Sequence, residues 1–571
     1  MTASTSASTS GSIEVGVPDM APHTPQRLGS APAQPWRSSR TLGGLLDEIA
    51  DARPDAEAVV FRGERMTYAA LRARVDVVAR ALLGLGVKHG DRVALLLPNR
   101  PEWLIGAFAA AKTGATVVAV STFSAPREID WTLEHAQPRV IITMESFRGR
   151  EYLSAIHALC PELASAAPGA LRSARLPELR AVVSIDERRH DGVIPWATLL
   201  DDTPAVNATA LAVTLAAVKS DDVAFVLYTS GSTATPKGVM LAHGGVIANG
   251  FDIGERMHLT ARDRVWLSVP LFWSFGSANA LPAVLTHGGS FVLQDSFEPG
   301  EALALLDGER CSVYYGMANM ARAILEHPDR PRRALAAMRT GLTIGLPEDV
   351  QLTMEALNAR ELCNVYGATE TYGNCAVTDA HDPLELRLTT QGLPLPGMTI
   401  HAVDPDTGRR LPAGEVGELR VKGYLTPGYY REPEQTRAAF DAEGAFKTGD
   451  LGVVREDGRA SFRGRIKELI KTGGANVAPL EVEAVLMTHP AVQQAYVVGV
   501  ADRARGEVGV AAIELRPGAS ATAEALTAFC RERLASYKVP ARIVFRTAEE
   551  FPRTATGKVQ KPRLREELER S

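Results

Sequence analysis

The stretch Tyr228-Thr-Ser-Gly-Ser-Thr-Ala-Thr-Pro-Lys-Gly238 constrains this chain more than any other feature. It places five aliphatic hydroxyls and a lysine directly after the apolar run Val223 to Tyr228, which is short and β-rich enough to be a buried strand. Hydroxyls, free backbone amides and one cation at a strand exit are what a triphosphate needs. The loop is not of the Walker A type, because Pro236 stands where a glycine is expected before the lysine and Gly238 replaces the following Ser or Thr. Thr229, Ser230, Gly231, Ser232, Thr233 and Lys237 are therefore candidate phosphate ligands.

The surrounding pattern predicts an α/β sheet. Thr67 can cap a helix whose apolar residues Leu71, Val75, Val78, Leu82 and Leu85 keep helical spacing, and Gly86 can end it. A strand at Arg92 to Leu97, a helix opened by Pro101 and running to Thr113, and a strand at Thr116 to Val120 follow. That alternation belongs to parallel sheets. Between Val416 and Gly464 the chain turns to short strands with Gly and Pro turns, as in GELRVKGYLTPGYY, which predicts a small β-barrel. After Arg465 a second α/β unit is expected: a helix at Leu480 to Met487, strands at Ala495 to Val500 and Val510 to Leu515, and a helix at Thr522 to Ala535.

A chain of 571 residues exceeds one compact core, so several folding units are expected. The division predicted is a disordered tail over 1–38, a large domain over 39–465, and a smaller, mobile α+β domain over 466–571. The tail is rich in Ser, Thr, Ala, Pro and Gly, and it holds too little apolar surface to offset the entropy of ordering. With 62 basic against 67 acidic residues there is no basic excess to draw nucleic acid or an anionic membrane. Five scattered cysteines without C-x-x-C spacing indicate neither a zinc site nor a disulfide framework. The longest apolar stretch, Leu104 to Val120, is interrupted by Lys112 and Gly114 and is not expected to span a membrane. No basic-then-apolar leader is visible at the start, and a cytoplasmic location is expected.

YTSGSTATPKGVM resembles the signature of the adenylate-forming superfamily, which includes acyl- and aryl-CoA synthetases, amino-acid adenylation domains and luciferases; Ala234 departs from its usual glycine. Four further motifs stand in the family's order. Asn364-Val-Tyr-Gly-Ala-Thr-Glu370 resembles the motif in which Tyr366 stacks on adenine, Thr369 contacts the α-phosphate and Glu370 holds Mg²⁺, with Asn364 and Gly367 in the nucleotide site. A carboxylate is a suitable ligand for that hard cation. Lys447-Thr-Gly-Asp450 resembles the motif whose Asp450 accepts hydrogen bonds from both ribose hydroxyls. Gly464-Arg-Ile-Lys-Glu-Leu-Ile-Lys-Thr-Gly-Gly474 resembles the hinge motif, with Arg465 at the ribose and Lys467 at the pivot. Pro552-Arg-Thr-Ala-Thr-Gly-Lys-Val-Gln560 resembles the closing motif, which makes Lys558 the catalytic lysine.

The resemblance implies ATP, Mg²⁺ and, as acceptor, coenzyme A. A carboxylate attacks the α-phosphate, pyrophosphate leaves, and the small domain rotates so that a thiol can take the acyl group. The acyl pocket is expected near Phe272, Trp273, Tyr315, Gly345 and Tyr372. No acid occurs over 270–282 to pair a substrate ammonium, which disfavours α-amino acids. Trp273 replaces a histidine common in CoA ligases, and Ala318-Asn319 lies where a proline is usual. If Trp273 lines the pocket, an aryl or short-to-medium acid is expected. The alternatives are an enzyme loading a carrier protein, and a diazotase-like member that adenylates nitrite for attack by an aryl amine.

Overall fold

The structure, a computed structural model, describes residues 40–201, 206–229, 236–472, 475–553 and 559–570. The predicted tail over 1–38, most of the phosphate loop and Lys558 lie outside the described residues.

The helix predicted after Thr67 spans Tyr68–Gly84, and the Thr67 hydroxyl accepts from the Ala70 amide at its first turn. Its Leu71, Val75, Val78 and Leu82 are buried, as their spacing predicts. Pro101 opens the next helix, Pro101–Lys112, where Pro lacks only a donor that the first turn would leave unused. Lys112, which interrupts the apolar stretch, is buried and paired with Asp47 and Asp76. Among the described residues no helix is long and apolar enough to cross a membrane.

These elements build a seven-stranded sheet in the order Lys237–Ala242, Val223–Thr229, Thr116–Ala119, Arg92–Leu96, Val140–Thr143, Ala181–Ser184, Ile194–Pro195. All its ladders are parallel except the first, where Lys237–Ala242 runs antiparallel to Val223–Thr229. A nine-stranded sheet packs nearby around a parallel run from Glu361–Tyr366 through Thr340–Thr343, Val313–Tyr315, Arg264–Leu267 and Ser290–Leu293 to Glu57–Phe61. One apolar cluster, from Leu42 to Ala460, binds both sheets together.

The segment expected to form a small β-barrel is a four-stranded antiparallel sheet of Thr399–Val403, Val416–Lys422, Phe446–Val454 and Ala460–Arg465. No ladder among the described residues joins its two outer strands. Beyond Arg465 the chain forms a hairpin of Val492–Asp502 against Gly506–Leu515, flanked by Ile470–Thr472 and, in parallel, Arg542–Phe545. Its apolar clusters draw only on residues 470–543 and 498–568. The helix expected over Thr522 to Ala535 is shorter, Ala523–Arg531; past its end the Arg533 amide bonds three residues back to the Cys530 carbonyl rather than four. All five cysteines are buried and unbridged.

Candidate active site

The antiparallel ladder of the seven-stranded sheet ends where Thr229 faces Lys237, so residues 230–236 connect its two strands. Ser230, Gly231, Ser232 and Thr233 lie outside the described residues, and the geometry of the loop is read from its ends. The Lys237 ammonium stands 4.8 Å from the centre of the Tyr429 ring. The same tyrosine donates its hydroxyl to Glu370 Oε1 at 2.8 Å. Burial, with the Glu370 charge as a second cause, pushes the Tyr429 phenol well above its ordinary range, so it stays a proton donor.

Glu370 and Thr369 sit in a short turn, Thr369–Thr371, just past the strand Glu361–Tyr366. The Thr369 hydroxyl is 3.4 Å from that of Ser274, which comes from the segment expected to face the acyl group. Gly367 is required between them. A Cβ there would lie 2.4 Å from the Gly373 carbonyl oxygen and 2.5 Å from Asn374 Cα. Glu370, with one carboxylate oxygen held by Tyr429, suits a hard divalent cation that takes its remaining ligands from phosphate and water.

The predicted ribose and adenine residues meet at the other end. Tyr366 donates its hydroxyl to Asp450 Oδ2 at 3.0 Å, and its ring stacks on Phe462 with centroids 6.0 Å apart. Asp450 Oδ1 lies 3.3 Å from Arg465 Nε, and the two residues face each other across their strand ladder. Burial, then the Asp450 carboxylate, holds the Tyr366 phenol far above its ordinary range. Three separate motifs are thus brought together by one hydrogen bond and one ion pair.

Lys467 is exposed in the turn Ile466–Glu468, directly beyond Arg465. Around the closing motif, Arg553 bridges to Val559 and the Gln560 amide donates to the Pro552 carbonyl at 2.7 Å, which ties together the two ends flanking Lys558.

Two further predicted ligands, Asn364 and Tyr372, are buried. Asn364 is buried; its carbonyl accepts from the Val365 amide at 2.9 Å and its amide donates to Gly345 O at 3.4 Å. Tyr372 is buried under the helix that begins at His243, and a Cβ on Gly245 would lie 2.1 Å from its ring. On the acyl side, Trp273 stands edge-on to Phe272 and to Phe123, both with ring centroids 6.0 Å away. Phe123 and Phe272 make a third such contact at 5.3 Å. Tyr315 is fully buried with its ring 5.3 Å from Phe275, and its hydroxyl finds no hydrogen-bond partner among the described residues.

Sequence reasoning missed Phe123, Phe462 and Tyr429. Phe123 follows a strand rather than any motif, and Phe462 lies one strand from Asp450 across the sheet. Tyr429 falls in a turn-rich run whose aromatic pair GYY was its one visible signal.

The profile of a family described as AMP-binding enzyme matches residues 46–430, and that of the AMP-binding enzyme C-terminal domain matches 481–558. The chain belongs to the AMP-binding enzyme family. It is an ATP-dependent, AMP-forming enzyme of the acid–thiol ligase type. It is 37% identical over 92% of its length to YngI of Bacillus subtilis, which carries an acyl-CoA synthetase name and is covered over 96% of its own length. It is 34% identical over 93% of its length to the mitochondrial medium-chain acyl-CoA ligase ACSF2 of Bos taurus, covered to 88%. Among solved structures, an anthranilate CoA ligase, AuaEII, in complex with anthranoyl-AMP matches 93% of this chain and 97% of its own, with 27% identity and a TM-score of 0.80.

Proposed function

We propose that this enzyme activates an aryl or short-to-medium-chain carboxylic acid as its acyl-AMP, releases pyrophosphate, and passes the acyl group to the thiol of coenzyme A. The observation that carries the reading is the grouping of Tyr366 with Asp450 and Arg465, on a strand that runs straight into the turn bearing Thr369 and Glu370, which Tyr429 links to Lys237. That span has a ribose-binding carboxylate at one end and a phosphate-binding hydroxyl, carboxylate and ammonium at the other.

In this reading Tyr366 and Phe462 form the adenine wall, and Asp450 with Arg465 receives the ribose hydroxyls. Thr369 and the loop Thr229 to Lys237 hold the phosphates. Mg²⁺ on Glu370, when bound, offsets the charge of the triphosphate. Lys558 neutralises the approach of carboxylate to α-phosphate, so most of the rate comes from positioning and charge stabilisation. The large unit would then be 39–465 and the mobile unit 466–571, turning at Lys467 after the adenylate has formed.

For the acid, the edge-to-face triangle of Phe123, Phe272 and Trp273 supports a short or flat substrate, because each ring is braced by two others. The anthranoyl adenylate in the matched structure and the medium-chain name of the bovine relative bracket the same size range. Pyrophosphate exchange across a panel of benzoates and straight-chain acids tests the choice. The expected result is fastest exchange with benzoates or hexanoate, and equal exchange with palmitate would refute it. Replacing coenzyme A with a carrier protein in the second half-reaction tests the acceptor.

A further inference from the structure

We propose that Tyr429 is a positioning residue that fixes the metal-binding carboxylate and the phosphate-loop lysine against one triphosphate. The inference rests on the roles given above to Glu370 and Lys237. Tyr429 touches both, through its hydroxyl to Glu370 Oε1 at 2.8 Å and through its ring face to the Lys237 ammonium at 4.8 Å.

The backbone around Tyr429 is tied to the same two places. The Thr426 amide donates to the Glu370 carbonyl at 2.8 Å. On the other side, Met240 N donates to Gly428 O at 3.0 Å, Tyr430 N donates to Gly238 O at 2.8 Å, and Val239 bridges to Tyr429. Residues 426–430 thus run as a short extra strand beside the one that begins at Lys237. The Tyr429 amide is held by Thr436 Oγ1 at 2.9 Å. Gly428 permits this path with φ +137°, where a Cβ would meet Thr436 Cγ2 at 2.5 Å. Few of these contacts are needed merely to bury an aromatic ring, which any apolar pocket would accept.

The chemistry follows from the two contacts. A hydroxyl on one oxygen of Glu370 orients the carboxylate and leaves its second oxygen for a cation, and such outer partners commonly set metal affinity within a factor of about 10 to 100. The ring face holds the ammonium by its quadrupole, a contact of about 0.5–1 kcal/mol at partly exposed sites. An incoming β,γ-phosphate pair with its cation therefore meets both charges already spaced.

The test uses Tyr429→Phe and Tyr429→Leu in the full chain. It measures ATP binding by calorimetry with Mg²⁺ and with EDTA, together with the Mg²⁺ dependence of pyrophosphate exchange and the melting temperature. Tyr429→Phe is expected to raise the Mg²⁺ needed for half-maximal exchange and binding by about tenfold, while ATP binding in EDTA and melting stay at wild-type values. Tyr429→Leu is expected to weaken ATP binding in EDTA as well, by about two- to fivefold. In a Glu370→Gln background, Tyr429→Phe is expected to add no further Mg²⁺ defect. An unchanged Mg²⁺ curve in Tyr429→Phe, an equal loss with and without Mg²⁺, or a full additional defect in the Glu370→Gln background would each overturn the proposal. Wild-type protein whose ATP binding ignores Mg²⁺ would instead overturn the role given to Glu370.

Discussion

The two ends of the site treat a buried tyrosine in opposite ways. At the nucleotide end Tyr366 gives its hydroxyl to Asp450 Oδ2, and Arg465 forms an ion pair with the other carboxylate oxygen. At the acyl end Tyr315 is buried as deeply, beside Phe275, and its hydroxyl has no hydrogen-bond partner among the described residues. A paired buried group fixes a geometry, whereas an unpaired one contributes shape and costs desolvation. On the proposed reading, the nucleotide end is built for one ligand, and the rings at the acyl end select the acid by size.

Variants can break or sharpen that contrast. The largest effect is expected from Lys558→Ala, which should slow pyrophosphate release about 10²- to 10³-fold or more while sparing thioester formation from synthetic acyl-AMP. Equal loss in both half-reactions would remove Lys558 from the nucleotide end. Lys467→Pro should show the reverse split, with the thiol step slowed by about 10²-fold because a fixed φ stiffens the pivot. A normal thiol step in single-turnover kinetics would move the hinge elsewhere.

The tyrosine pair gives the sharper comparison. Tyr366→Phe strips a partner from a buried carboxylate, so about 1.5–3 kcal/mol of stability should disappear in urea titration, with weaker ATP binding. Tyr315→Phe removes a hydroxyl without a partner among the described residues and should change stability by no more than about 0.5 kcal/mol. Similar losses in the two variants would erase the distinction. Between these, Trp273→Ala should move the acid preference toward longer chains by about tenfold in kcat/KM ratios, since one braced ring is removed. A ratio that stays put would mean Trp273 only packs.

The same contrast explains what the sequence made legible. Thr67, Pro101 and the Leu71 to Leu82 spacing announce their helices because caps and periodicity act locally. The motifs around Lys237, Glu370, Asp450 and Arg465 stood out because each resembles a motif of the family, and the structure brings Asp450 and Arg465 together and links Glu370 to Lys237 through Tyr429. Tyr429 was hidden because its meaning depends on residues 426–430 pairing beside Gly238 and Met240, nearly two hundred positions earlier. Phe123 meets Trp273 for an equally non-local reason. Asn364 and Tyr372 stand inside motifs and are buried, Asn364 in the strand Glu361–Tyr366 and Tyr372 at the end of the turn Thr369–Thr371. The third sheet showed strands and turns in sequence, but whether strands close a circle depends on pairings that no single segment encodes.

The central claim is that a carboxylate oxygen attacks the α-phosphate at the Thr369 and Lys237 end of this site. Turnover of a heavy-oxygen-labelled carboxylic acid with ATP and coenzyme A tests it directly by mass spectrometry of the products. One labelled oxygen per AMP, with unlabelled pyrophosphate, is the expected result. Label appearing in inorganic phosphate alongside ADP would contradict the account.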